Sequence, residues 1–306
     1  MSQDSAIFSF DFVHIDVARN ATDDFNLFHD KKQWHQIVSN PFGGPIALGF
    51  QLECYIEDYI NQYREQNDEL KSIQQHQLKF SNYSFNFAGV ARPNDNLTAI
   101  IKKSRLTSNT TTVLSNRVVI KKDQGIVLIG FKSESNVPLF ANKQSYGPSL
   151  MTEYLLDRSF VAQSDYFYKR KFTSNSNAKN FLTGSQVEQS HYFDEVNDKI
   201  RFPETYCTSL ISCALLERGK ASGLDFKRNP MVYTSHKISV HRENVAKLRS
   251  DQALHILVGP PINKIPTTNK QNSALVSHHC IGLNQDYCIL FQGEIELAPL
   301  SYILQQ

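Results

Sequence analysis

The period of apolar and polar positions changes several times along the chain, and each change marks an element. Apolar residues alternate from Ile7 to Val17, which predicts an N-terminal strand. A polar turn with a short helix follows around Asn20 to His29, then a Gly/Pro-rich bend from Asn40 to Pro45. Beyond the bend, Leu52, Tyr55, Ile56, Tyr59, Ile60 and Tyr63 recur at three and four residues, the apolar face of one long amphipathic helix. After the charged stretch Glu65 to Lys71 the period drops to two in Tyr83, Phe85 and Phe87, the pattern of a half-buried strand. Leu97 to Ile101, Thr111 to Ile120 and Ile126 to Phe131 read as further strands. The last two are joined across Lys122-Asp123-Gln124-Gly125, a hairpin turn.

The same plan recurs in the second half. Phe202-Pro203 introduces a helical stretch from Tyr206 to Glu217, and strands are predicted at Val232 to Val240, Ala253 to Val258, Leu275 to Gly282 and Tyr287 to Leu297. Asn284-Gln285-Asp286 stands where the first half has its hairpin turn, and Asp251 precedes a strand as Asp95 does. These correspondences predict an internal duplication. Residues 1–136 form the first unit, 137–164 a connector with Pro138, Pro148 and a helix-like Met151 to Phe160, and 165–306 the second unit. Each unit is of α+β class: a strand, a long helix, and antiparallel strands able to wrap around it. Several α+β folds share that order.

Composition narrows the function more than the fold. At 41% hydrophobic and 20% charged residues, the 306-residue chain can bury a sizeable core, and its net charge of +2 gives no electrostatic case for a nucleic-acid or membrane-surface partner. The segment Met1 to Phe12 has two acids before any base and no apolar run, unlike a signal peptide, and no stretch has the length of a membrane span. Five cysteines (Cys54, Cys207, Cys213, Cys280, Cys288) form no CxxC pair, which fits a reducing, cytoplasmic setting. The sequons at Asn82, Asn96 and Asn109 are then incidental.

Candidate chemistry concentrates between Asp24 and Phe50. In Asp24-Phe25-Asn26-Leu27-Phe28-His29 a carboxylate and an imidazole stand five residues apart with a carboxamide between them. On a turn entering a helix both can project into one pocket and serve as an acid–base pair. The spacing alone fits equally a helix-capping Asp24 and a surface His29.

This segment resembles the motif D-x-N-P-[apolar]-H of MaoC-like (R)-specific enoyl-CoA hydratases and dehydratases, matched at Asp24, Asn26, Phe28 and His29. A second element of that family, F-G-G-P-I-A-H-G-[apolar], is similar to Phe42-Gly43-Gly44-Pro45-Ile46-Ala47-Leu48-Gly49-Phe50, and Pro93-Asn94-Asp95-Asn96-Leu97 is similar to its P-G-D-x-L strand entry. The resemblance implies two tandem hot-dog units, each an antiparallel sheet wrapped around a long central helix, packed as a double hot dog. It also implies addition of water to, or its removal from, a 2-enoyl thioester without a cofactor. Asp24 and His29 would be catalytic. Asn26, Leu48, Gly49 and Phe50 would lie at the substrate, with the Gly49 amide at the start of the long helix polarising the carbonyl. Partners implied are acyl-CoA or acyl carrier protein thioesters, and a homodimer is compatible. The chain departs from the pattern at Leu27 for proline, at Lys31 for an acid, and at Leu48 for histidine.

In the second half Gln186-Val187-Glu188-Gln189-Ser190-His191 keeps the spacing but has glutamine at the place of Asp24, so any chemistry is expected in the first unit, with Glu188 and His191 a weaker pair. A non-catalytic thioester-binding protein is the competing reading; a hot-dog thioesterase ranks behind both, since no thioesterase-type motif is present. His278-His279-Cys280 lacks a second ligand pair at zinc spacing, and adjacent strand residues face opposite ways. No metal is therefore expected. Tyr166-Phe167-Tyr168 with Lys169, Arg170 and Lys171 reads as a strand with a packed face and a solvated basic end.

Overall fold

The structure, a computed structural model, describes residues 3–123, 125–141, 155–162, 164–264 and 275–303. The first unit runs β1 (Gln3–Phe8), α1 (Phe12–Thr22), α2 (Gly49–Gln66), α3 (Glu69–Gln75), β2 (Phe80–Phe87), β3 (Leu97–Lys102), β4 (Arg105–Ser108), β5 (Thr112–Lys122) and β6 (Gly125–Ser135). The short β7 (Ser159–Phe160) leads into the second: β8 (Phe167–Phe172), α4 (Asn175–Gly184), β9 (Phe193–Asp194), β10 (Lys199–Ile200), α5 (Glu204–Ser209), α6 (Ile211–Ala221) and β11 (Met231–His241). It continues through α7 (Arg242–Ala246), β12 (Ala253–Val258), β13 (Ile262–Lys264), β14 (Leu275–Leu283), β15 (Ile289–Pro299) and α8 (Leu300–Ile303).

All strand pairings are antiparallel, and the main sheet has the order β1-β3-β5-β6-β2-β11-β15-β14-β12-β8-β7. Read outward from the centre, β2-β6-β5-β3-β1 and β11-β15-β14-β12-β8 are the same series, so the duplication seen in the sequence is a two-fold repeat of topology. The halves join where β2 pairs with β11, from Ser235 opposite Asn86 to His241 opposite Phe80. The long helix α2 shares the main core with the sheet. Phe50, Leu52, Ile56 and Ile60 are buried there, each worth about 1.5–3 kcal/mol of burial. Its counterpart is broken at Leu210 into α5 and α6.

Three predicted elements differ. The N-terminal strand stops at Phe8 because Asp11 starts a helix: its carboxylate accepts from Val13 N (2.8 Å) and His14 N (3.0 Å), and Asp11 N donates to His14 Nδ1 (3.1 Å). Phe10, Ile15, Ala18 and Ala21 then bury at helical spacing, which two-residue alternation concealed. The second long helix is two helices rather than one. Of the helix expected over Met151 to Phe160, residues 151–154 lie outside the described part, and Ser159–Phe160 is a strand paired with β8.

Candidate active site

The loop after α1 is fixed by its own short side chains. Asp23 turns the chain with φ 53°, and Asp24 N donates to Arg19 O (3.0 Å). Asp24 Oδ1 accepts from Asn26 N (3.3 Å), and Asn26 Oδ1 accepts from Phe28 N (3.2 Å), capping a 3-10 turn at Leu27–His29. His29 Nδ1 donates to Ile46 O (2.8 Å), Ile46 N donates to Phe28 O (2.9 Å), and Ala47 N donates to Ala91 O (2.8 Å). The loop is thereby stitched to the segment that enters α2. With the Nδ1 proton held by a carbonyl, the neutral ring presents Nε2 as an acceptor. That atom lies 3.8 Å from Asp24 Oδ2, and both residues are buried, at 6% and 2% exposure. Asp30 pins the far side of the loop: it pairs with Arg19 (2.8 Å) and accepts from Lys32 N (2.8 Å). Burial opposes its ionisation, but these donors hold the carboxyl below its ordinary value. Lys31 points away to Asp16 (2.7 Å), and Leu27 packs in an apolar cluster with Phe28, Ile37, Phe42 and Ile46.

A cavity of about 920 Å³ begins at this loop. Asn26, His29 and Gly49 line one end, and Ser212, Leu215, Leu216 and Phe226 carry it into the second unit. Gly49 is the first residue of α2, and the Gly49 and Phe50 N–H groups have no acceptor among the described residues. A Cβ on Gly49 would lie 2.9 Å from Phe87 Cζ, so glycine is what lets the Phe87 ring pack against the start of the helix. Leu48 and Phe50 do not line the cavity. Both are 1% exposed, Leu48 in the core and Phe50 stacked on His236 (centroids 4.5 Å apart). Asp24 is likewise absent from the wall, directly behind His29.

Sequence reasoning did not identify the second-unit residues that line the cavity. Tyr233 and Ser212 line the cavity with their hydroxyls 2.9 Å apart; burial raises the Tyr233 pKa well above its ordinary value, with Asp24 adding to it. His236 of β11 bonds Glu53 of α2 (2.8 Å) beneath Gly49, with neither side chain exposed. A buried histidine in an otherwise alternating strand was the available signal.

The equivalent loop of the second unit does not form a pair. Val187 N donates to Leu182 O (2.9 Å), five residues back as in Asp24 to Arg19, so the helix exit places Val187, not Gln186, at the position of Asp24. Glu188 caps its turn through Ser190 N (3.2 Å), and His191 turns instead to Asp58 of α2 (3.0 Å). The start of α5 is occupied. Glu57 of α2 accepts from Glu204 N (3.0 Å), Thr205 N (2.8 Å) and Thr205 Oγ1 (2.6 Å). Burial and the Glu204 carboxylate push the Glu57 pKa up to about 7, against the pull of these donors. Glu204 in turn bonds Tyr83 (2.6 Å) and Ser81 (2.9 Å). Elsewhere, His278 Nδ1 bonds Gly259 O (2.9 Å) and His279 Nδ1 bonds the Tyr166 hydroxyl (3.0 Å). The basic end of β8 is less solvated than predicted: Lys169 is buried between Glu217 (3.1 Å) and Asp157 (3.6 Å).

No family model matches the chain, and no curated protein matches it by sequence. Solved structures do match over nearly its whole length. A putative MaoC domain protein dehydratase from Chloroflexus aurantiacus is similar with a TM-score of 0.60 at 10% identity, covering 97% of this chain and 94% of that one. A MaoC-like dehydratase is similar with a TM-score of 0.60 at 9% identity, covering 97% of each. A Mycobacterium tuberculosis protein described as a double hotdog fold is similar with a TM-score of 0.55 at 10% identity, over 98% and 96% of the two chains. The fold is an α+β double hot dog, as the mirrored strand order requires. Among the described residues no helix is long and apolar enough to cross a membrane.

Proposed function

We propose that this protein is an acyl-thioester hydratase, adding water to, or removing it from, a 2-enoyl group carried on coenzyme A or acyl carrier protein. The observation that carries the reading is the pairing of Asp24 Oδ2 and His29 Nε2, 3.8 Å apart, with a cavity that ends on the free N–H groups of α2. In this reading one water bridges the two acceptors, donating a hydrogen to each and turning a lone pair toward the cavity. As the water oxygen bonds the β-carbon, Asp24 takes its proton and the double-bond electrons shift to the α-carbon and thioester oxygen. The Gly49 N–H, reinforced by the helix dipole, stabilises that oxygen. The α-carbon then takes the proton back from Asp24. Atoms and charge balance with water alone, so the step calls for no redox partner or metal. Asn26 holds the loop, and the apolar walls of the second unit take the acyl chain.

The test is hydration of crotonyl-coenzyme A and longer 2-enoyl thioesters. Wild type is expected to turn over, and Asp24→Asn to lose a factor of about 10²–10⁴ at unchanged melting temperature. Absence of wild-type activity across chain lengths and both carriers would overturn the proposal. One observation favours a second reading, a binding protein without turnover: Asp24 lies behind His29 rather than on the cavity wall. Thioester binding without hydration, unaffected by Asp24→Asn, identifies that case.

A further inference from the structure

The second-unit part of the cavity is mostly apolar; Ser212 and Tyr233 bond each other, His278 bonds Gly259 O, and Ser222 is neutral, which leaves one permanent charge. Arg218 of α6 lines the cavity, and the residue is 7% exposed. No hydrogen bond or ion pair among the described residues satisfies its guanidinium, and its Nε is fully enclosed without an acceptor. It lies over the face of the Phe160 ring, 5.4 Å away, and the nearest carboxylate acting on it, Asp165, stands beyond ion-pair distance. The buried Arg64 and the part-buried Arg19 also have an enclosed Nε, but each has a carboxylate partner, Glu134 for Arg64 and Asp30 for Arg19. A guanidinium does not shed its proton, so one without an ion-pair partner on the wall of a mostly apolar chamber is a binding group for an anion.

Its place on the helix says which anion. Ser212, next to Tyr233 at the reacting end, and Arg218 are six residues apart on α6, about 9 Å along the axis. That span matches a medium-length acyl chain and falls short of an extended pantetheine arm, which favours the far end of the chain over a carrier phosphate as the group at Arg218. We infer that the protein selects acyl thioesters bearing a second, terminal carboxylate, which Arg218 binds through its fork of N–H donors. The inference rests on the hydratase reading for the position of the thioester, but the selectivity itself can be measured without turnover.

The experiment compares straight-chain 2-enoyl-coenzyme A substrates of equal length ending in a methyl or a carboxylate, with pantetheine thioesters of the same acids as a second series. Wild type is expected to favour the carboxylate end in kcat/KM by about tenfold to a hundredfold, the range of a charge-assisted hydrogen bond. Arg218→Met should erase the preference by losing only the carboxylate substrates, and Arg218→Lys should keep part of it. Arg218→Met should melt no lower than wild type; a lower melting temperature assigns Arg218 a structural role and overturns the inference. Equal losses for both chain ends overturn it, as does an effect confined to coenzyme A thioesters, which points to a carrier phosphate. If no thioester turns over, calorimetry with the saturated acyl analogues decides: the same preference, lost in Arg218→Met, supports the inference though hydration has failed, and no preference overturns it.

Discussion

At the start of α2 the Gly49 N–H is free beside a cavity, while at the start of α5 the Glu204 and Thr205 N–H groups are taken by the Glu57 carboxylate. The two places correspond under the internal repeat, and the difference comes down to one residue. Glu57 stands eight residues past the first residue of α2 and faces the start of α5. Ser212 stands eight past the first residue of α5 and lines the cavity at the start of α2. A long acid closes one site and a small hydroxyl leaves the other open. On the proposed function, the second half differs by a filled space as well as by a motif residue: a buried helix end left without acceptors is costly, and Glu57 supplies them.

Moving the plug should have the largest effect. Ser212→Glu is expected to close the first site as Glu57 closes the second, taking hydration down by about 10³-fold or more, the scale of losing polarisation at the thioester oxygen. Full activity in a folded Ser212→Glu protein would break the comparison. Glu57→Ala should leave activity measurable but cost about 3 kcal/mol of stability, since two backbone donors and a hydroxyl lose their acceptor; chemical denaturation reads it directly.

A smaller effect is pH dependence. The Glu57 pKa is raised on folding, so its contribution is full below its unfolded value and is lost as pH rises through about 7. Melting temperature should therefore fall from pH 5 to pH 8 by a few degrees more in wild type than in Glu57→Gln. An identical slope in the two proteins would show that Glu57 is ionised throughout. The smallest expected change is Gly49→Ala. Its Cβ meets the tip of Phe87, which can swing, so KM should rise by about 1 kcal/mol equivalent with little loss of stability.

Much of the fold was legible because most strands announce themselves by period two and α2 by period three to four. The start of α1 was hidden where Phe8 and Phe10 continue the alternation into a helix capped by Asp11. The break at Leu210 left no Gly or Pro to mark it. That Asn26, His29 and Gly49 converge on one cavity was legible because a turn's geometry is local. Leu48 and Phe50 were misplaced into the pocket wall because the direction of a side chain at a helix start depends on what packs there, here His236 from a strand more than 180 residues downstream. Glu57, Ser212 and Arg218 were missed for a related reason. Each sits in a helix at a position whose meaning is set entirely by the other half of the molecule.

The joint between β2 and β11 brings together residues about 150 positions apart. On a ribosome, the first unit is complete well before β11 exists. Until then β2, whose Tyr83 and Phe85 already belong to a core, is a bare edge with a row of free N–H and C=O groups, open to the β2 of a neighbouring nascent chain. Folding of this protein is accordingly a race between intramolecular closure across that long loop and pairing between molecules, and truncation after residue 136 would leave the second outcome without a competitor.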